Sequence, residues 1–299
     1  MKTPARLIKG DLIYLVSPAK KIDSDSVNYA IEILVEQGFR VEVSPHCKGS
    51  HHYFSGTDEE RTRDFQQALD RKDIRAILCA RGGYGSIRII GNLNWARFLE
   101  YPKWIVGFSD ITVFHHVLQN LGVQSIHATM PLNFKDNSKA SLNTLYSSLT
   151  GTLQKVEGAP YEKNVHGTAN GSLLGGNLSI IYSLLATEFC YDFSNKILFI
   201  EDLCEQYYHI DRMLISMEIK GVFNEISGLI VGGMTELQDS EFSIGMNLYE
   251  IVLEKTRKYD IPVCFNFPCG HIADNQAMII GSEVILKVTD SNVDLFYTV

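Results

Sequence analysis

Ser109 stands in Gly107-Phe108-Ser109-Asp110, after the apolar run Trp104-Ile105-Val106 and before a stretch with Val113, Phe114, Val117, Leu118 and Leu121 on one helical face. A hydroxyl on a strand-to-helix turn is where many hydrolases hold a nucleophile. The sharp turn lifts the oxygen out of the sheet and aims backbone N–H groups at a reacting carbonyl. The same residues suit a helix N-cap, for which Ser and Asp are both favoured, and taken alone the tetrapeptide reads more readily as a cap. Ile111 also stands where G-x-S-x-G would have its second glycine. A second cluster, Ala80-Arg81-Gly82-Gly83-Tyr84-Gly85, follows an apolar run ending at Cys79. Its glycines let a backbone approach a ligand closely, as an anion cradle or as an oxyanion donor, and a tight turn into a helix would use them equally well. The spacing fits neither G-x-G-x-x-G nor the P-loop pattern, so a nucleotide site is disfavoured.

Two residues of the second half complete a constellation. Glu201 closes the apolar run before Asp202 and Leu203, and His271 lies in Gly270-His271-Ile272-Ala273-Asp274-Asn275. A solvated acidic pair and a surface-loop histidine are the plainer readings of each. Together they give the order Ser, Glu, His: a nucleophile, an acid to orient a base, and the base itself. The adjacent pairs His51-His52 and His115-His116 do not share a helix face and read as surface residues.

The elements that must position these groups alternate in the first half. Strands are expected at residues 12–16, 40–43, 76–79, 103–106 and 124–126. Helices are expected at 24–37, 58–71, from 84, after Ser109, and at 137–150. Runs apolar on both faces, alternating with helices, imply a parallel sheet covered on both sides. In such a sheet the glycine cluster and Ser109 both lie at the carboxyl edge, where ligands bind. Residues 151–167 are polar and irregular, contain Pro160, and read as a linker. This gives domains at 1–150 and 168–299. Helices are expected in the second half at 177–186, 209–219 and 244–258. Strands are expected at 196–200, 228–231, 262–265, 277–280, 283–288 and 293–297, the last three antiparallel in a mixed, barrel-like α/β unit.

Composition narrows the classes. The chain has 299 residues, 45% hydrophobic and 21% charged, enough for a sizeable core without staples. A net charge of −8 argues against nucleic acid, whose phosphates want a basic surface. Six scattered cysteines without C-x-x-C spacing argue against a zinc ribbon or a disulfide framework and suit a reducing compartment. No apolar stretch approaches the length of a signal-peptide core or a membrane span. The expectation is a cytoplasmic protein.

At these residues the chain resembles the LD-carboxypeptidases, a serine peptidase family that also contains the microcin C immunity proteins. The matching stretches are 10–18 (GDLIYLVSP), 80–85 (ARGGYG), 107–112 (GFSDIT), 171–178 (GSLLGGNL), 200–212 (IEDLCEQYYHIDR) and 270–275 (GHIADN), in family order across nearly the whole chain. The resemblance implies a flavodoxin-like N-terminal half and a C-terminal half of mixed strands and helices. It implies a catalytic triad of Ser109, Glu201 and His271, with an oxyanion hole from the backbone N–H groups of Asp110 and Gly83. It implies a homodimer, no metal and no cofactor. The implied activity is removal of the terminal D-alanine from murein tetrapeptides in peptidoglycan recycling. Hydrolysis of peptidyl or aminoacyl sulfamoyl nucleotides on the same triad is the alternative, and a non-catalytic small-anion binding module is a further one. Arg81, Tyr84 and Arg212, the groups nearest these motifs, are candidates for substrate binding, with Arg81 or Arg212 as the cation for a terminal carboxylate. Where the family has Gly-Thr after a helix, this chain has Ala186-Thr187, a change that bears on packing.

Overall fold

The structure is a computed structural model describing residues 1–298. The chain divides into two compact units, one of Met1–Leu153 with Ala273–Ile279, the other of Gln154–Ile272 with the residues from Ile280 on.

In the first unit the order is β1 (Leu12–Val16), α1 (Ser24–Glu36), β2 (Arg40–Val43), α2 (Asp58–Asp70), β3 (Ile74–Cys79), α3 (Ser86–Ile89), α4 (Ala96–Glu100), β4 (Trp104–Gly107), α5 (Thr112–Asn120), β5 (Ser125–His127) and α6 (Lys139–Thr150). Strand β1 is buried at all five positions, as a strand covered on both faces must be. Helix α2 begins on a capping box: Thr57 accepts from the Glu60 amide and the Glu60 carboxylate accepts from the Thr57 amide. Its Phe65 ring stacks on Phe114 of α5 at a centroid distance of 4.3 Å. Strands β1 to β5 are parallel, and the sheet order is β11-β5-β4-β3-β1-β2, where β11 is Met278–Ile280. Without β11 this is the flavodoxin order, whose topological switch point lies between the carboxyl ends of β1 and β3.

The second unit contains β6 (Lys155–Gly158), β7 (Gly167–Asn177), α7 (Leu178–Leu184), β8 (Lys196–Leu203), α8 (Tyr207–Lys220), α9 (Val222–Glu225), β9 (Gly228–Thr235), α10 (Leu248–Thr256), β10 (Val263–Cys264), β12 (Glu283–Val288) and β13 (Val293–Tyr297). Its sheet runs β10-β9-β8-β7-β12-β13-β6. The strands from β7 to β10 pair in parallel, whereas β12 and β13 join the sheet antiparallel. The core packs Leu198 and Ile200 of β8 and Val231 of β9 with Ile210, Leu214 and Met217 of α8.

Three expectations need correction. Residues 151–167 are not only a linker: they hold β6, an edge strand with one buried residue, Val156, too short to give a period-two signal. The 277–280 strand joins the first sheet beside β5 instead of forming an antiparallel set with β12 and β13, because an apolar triplet does not reveal which sheet it completes. The second sheet has ends at β10 and β6, and the isolated bridge on β10 goes to Val165, outside β6, so among the described residues no ladder closes it into a barrel. Among the described residues, no helix is long and apolar enough to cross a membrane.

Candidate active site

Ser109 stands one residue after β4, and the backbone on either side of Phe108 is unusual. Gly107 has φ +157°, Phe108 is extended, and Ser109 has φ +63°. A left-handed conformation costs a non-glycine residue roughly 1–2 kcal/mol and persists only where its surroundings enforce it. Ser109 opens a single 3₁₀ turn, Ser109–Ile111, that leads into α5. No side chain caps either helix start, so the N-cap reading of Ser109 is set aside. The Asp110 N–H is among the first amides of that turn, which lack an intrahelical acceptor.

The glycine loop lies against this turn. A Cβ built on Gly82 would stand 3.1 Å from Ser109 Cβ and 3.3 Å from the Asp110 nitrogen. Asp110 ties the two segments together. Its carboxylate is buried and accepts from the Ser86 amide at 2.8 Å, at the start of α3. Burial raises its pKa, and the hydrogen bonds from Ser86 oppose that rise. Arg61 of α2, only 1% exposed, holds the loop from the other side. It donates to the carbonyls of Gly85 at 3.0 Å and Gly56 at 3.2 Å, to that of Pro18, and to the Asp58 carboxylate.

Beneath the turn, His115 of α5 donates through Nε2 to the Gly107 carbonyl at 2.9 Å. A carbonyl only accepts, which fixes the tautomer and leaves Nδ1 to accept from the Ser125 hydroxyl at 2.8 Å. Burial pulls the His115 pKa down to about 3, so the ring is neutral. His115 and His116 are buried, against the expectation that they are surface residues. Residues 112–118 of α5 are all buried, so the rule that adjacent residues face different environments does not apply. Arg61 was equally hidden in the sequence, inside a run of charges that reads as a solvated face. The available signal was the number of loops converging on one sheet edge, each with carbonyls needing donors.

In the second unit, Glu201 lies on β8, fully buried, and its Oε2 accepts from His271 Nδ1 at 2.5 Å. The proton therefore sits on Nδ1, and Nε2 carries the lone pair a general base uses. Burial pushes the His271 pKa down, but the Glu201 charge and hydrogen bond, with smaller contributions from Asp202 and Glu236, leave it raised. The loop bearing His271 is pinned to β9: the Gly233 amide donates to the Cys269 carbonyl at 2.8 Å, and the Thr235 hydroxyl to the His271 carbonyl at 3.2 Å. Gly270 has φ +95°, and a Cβ there would stand 2.5 Å from Glu201 Cβ, so only glycine permits this approach. Next to Glu201, Asp202 accepts from Asn177 Nδ2 at 2.8 Å and from the Ser179 amide at 2.9 Å, fixing the start of α7.

The three substrate-binding candidates lie apart in kind. Arg81 donates to the Lys21 carbonyl at 3.1 Å, and its Nε is buried without a partner. Tyr84 is 47% exposed, with its ring 6.0 Å from Phe54. Arg212, on α8 of the second unit, lies over the Tyr208 ring at 5.5 Å. Among the described residues, no three His, Cys, Asp or Glu side chains cluster as metal ligands would.

The first unit thus holds a serine on a strained turn with amides beside it, and the second a histidine held by a buried acid; serine hydrolases use groups of these kinds. Comparison with known proteins narrows the class. Residues 13–128 match the LD-carboxypeptidase N-terminal domain and residues 170–286 its C-terminal domain, and the chain belongs to the LD-carboxypeptidase family. It is 31% identical over 294 residues to a Bacillus subtilis protein named "Probable murein peptide carboxypeptidase", covering 96% of this chain and 92% of that one. The crystal structure of muramoyltetrapeptide carboxypeptidase from Oxalobacter formigenes is 26% identical, with a TM-score of 0.87 over 96% of this chain and 99% of that one. The microcin immunity protein MccF, solved in complex with glutamyl sulfamoyl guanosine, shares the fold: its TM-score is 0.86 at 21% identity, over 99% of this chain and 98% of that one.

Proposed function

We propose that this protein is a serine carboxypeptidase that hydrolyses the L,D bond to the terminal D-alanine of murein tetrapeptides, with Ser109 as nucleophile, His271 as base and Glu201 as its orienting acid. The observation that carries the reading is the left-handed Ser109 between β4 and α5, with Gly82 packed against it. Strain of this kind is retained where an exposed nucleophile needs it. In the proposed cycle, His271 Nε2 takes the hydroxyl proton as Ser109 Oγ bonds to the scissile carbonyl carbon. The carbonyl π electrons move to oxygen, where the amides of Asp110 and Gly83 receive the negative charge. Losing one such donor typically costs about 10²–10³ in kcat. Glu201 stabilises the imidazolium. The C–N bond then breaks, His271 returns the proton to the departing amine of D-alanine, and water repeats the sequence on the acyl-enzyme.

Tyr84 belongs to the proposed substrate surface as an exposed ring at the glycine loop. A cytoplasmic homodimer acting on recycled murein peptides completes the proposal, on the strength of family membership. Hydrolysis of aminoacyl sulfamoyl nucleotides ranks second. Only residues 204–206 separate β8 from α8, leaving little chain for a nucleotide-binding loop after Glu201. The test is incubation with a purified murein tetrapeptide and, separately, with an aminoacyl sulfamoyl adenosine. D-alanine release by the wild type and its loss in Ser109→Ala are expected. Cleavage of the nucleotide alone rejects the substrate, and equal D-alanine release by Ser109→Ala rejects the mechanism.

A further inference from the structure

A carboxypeptidase must recognise a free carboxylate one residue beyond the bond it cuts, at most about 3.6 Å along the chain. Three of the cations around the glycine loop are committed elsewhere. Arg61 is spent on carbonyls and Asp58, Arg88 grips the Asp58 carboxylate, and Lys21 donates to Ser50. Arg81 points one amino group at a backbone carbonyl, and its Nε is buried.

Lys20 differs from all four. It follows β1, while the glycine loop follows β3, and the two strands are neighbours in register through Val16 and Cys79. Lys20 and Gly83 therefore flank the switch point of the first sheet, the crevice where ligands of such sheets bind. A Cβ on Gly83, which has φ +107°, would stand 2.8 Å from Lys20 Cβ and 3.2 Å from the Tyr53 hydroxyl. Because a Cβ on Gly82 would meet Ser109, the glycine loop approaches Ser109 at Gly82 and Lys20 at the next residue, Gly83. The Lys20 ammonium lies 4.9 Å from the centre of the Tyr53 ring, which orients it without neutralising its charge. Among the described residues it pairs with no carboxylate.

We propose that Lys20 binds the terminal carboxylate of the leaving amino acid and so makes the enzyme an exopeptidase, with Tyr53 positioning its ammonium. The inference rests on the carboxypeptidase reading and names the cation that reading requires. It assigns the role to Lys20 instead of Arg81 or Arg212. The chemistry it selects is an α-carboxylate one residue from the scissile carbonyl, whatever side chain lies between.

The experiment compares two substrates, a murein tetrapeptide with a free terminal carboxylate and the same peptide as its C-terminal amide, on the wild type, Lys20→Met and Lys20→Arg. A charge-assisted hydrogen bond predicts that the wild type prefers the acid by about ten- to a hundred-fold in kcat/KM. Lys20→Met should lose that factor on the acid and keep its rate on the amide, so that the preference disappears, and Lys20→Arg should restore part of it. A Lys20→Met enzyme that still prefers the acid overturns the proposal. So does an equal loss on both substrates, which marks a structural or oxyanion role. Cleavage of neither substrate by the wild type rejects the carboxypeptidase reading itself, and the assignment of Lys20 falls with it.

Discussion

Replacing Gly270 by alanine places one methyl group against Glu201, the proposed orienting acid. The new Cβ would stand 2.5 Å from Glu201 Cβ, 2.6 Å from its Oε2 and 2.7 Å from its Cγ. Carbon atoms rest about 3.5–4 Å apart, so roughly 1 Å must be found. Glu201 cannot supply it, since it is fully buried in β8 between β7 and β9. The loop must yield, and His271 is the next residue. The φ of +95° adds about 1–2 kcal/mol of backbone strain for an L side chain. A misplacement of about 1 Å at a catalytic group costs on the order of 10²-fold in rate. The expected outcome is therefore a kcat for D-alanine release reduced about 10²-fold with KM within a few-fold of the wild type, and a lowered thermal midpoint. Stopped assays over a substrate series give both constants, and the circular-dichroism melt shows that the variant is folded. A folded Gly270→Ala protein with wild-type kcat would refute the claim that this glycine seats the Glu201–His271 pair.

Three further outcomes follow from the geometry. A base must be neutral to act, and His271 has a raised pKa, so the acid limb of kcat/KM against pH should lie above the usual imidazole range. In Glu201→Gln the limb should move to lower pH as burial takes over, with kcat down about 10²–10⁴-fold, and an unmoved limb would contradict the assignment. The same pairing stabilises the fold below the unfolded histidine pKa and is lost as pH rises through the raised folded value, so the stability gap between wild type and Glu201→Gln should narrow at alkaline pH. Arg61→Met leaves the carbonyls of Pro18, Gly56 and Gly85 without their donor, at about 1–3 kcal/mol for each buried group, and urea unfolding should show a loss of at least about 3 kcal/mol. A loss under about 1 kcal/mol would show that these loops hold their shape unaided.

Much of the first sheet was legible because its strands are continuous apolar runs and its helices carry acidic or polar starts, as at Thr57 and Asp58. The GFSD and GHIADN motifs marked two chemical groups because glycine next to a reactive side chain is an economical signal of close backbone approach. What stayed hidden depends on tertiary burial. His115 and Arg61 are polar side chains whose partners are carbonyls far away in sequence, and no local pattern distinguishes them from surface residues. The edge strand Lys155–Gly158 buries one side chain, too little for a period to register. Lys20 carries no local signal, because Gly83 is brought to it by the pairing of β1 with β3 and Tyr53 by the bridge between Lys20 and Phe54.

The return of residues 273–279 to the first sheet sets an order of events for a chain made from its N-terminus. Strands β1 to β5 are all synthesised by residue 127, but their edge partner β11 ends at residue 280 of 299. The helix cap at Ser138 likewise waits for Asp274, whose carboxylate accepts from the Ser138 hydroxyl at 2.5 Å. A nascent chain therefore carries an open sheet edge through the synthesis of about half its length, a period in which such edges invite mispairing. It also follows that cutting the gene between the two family domains yields no self-sufficient halves. The first lacks its last strand, and the second keeps a seven-residue insertion with no sheet to join.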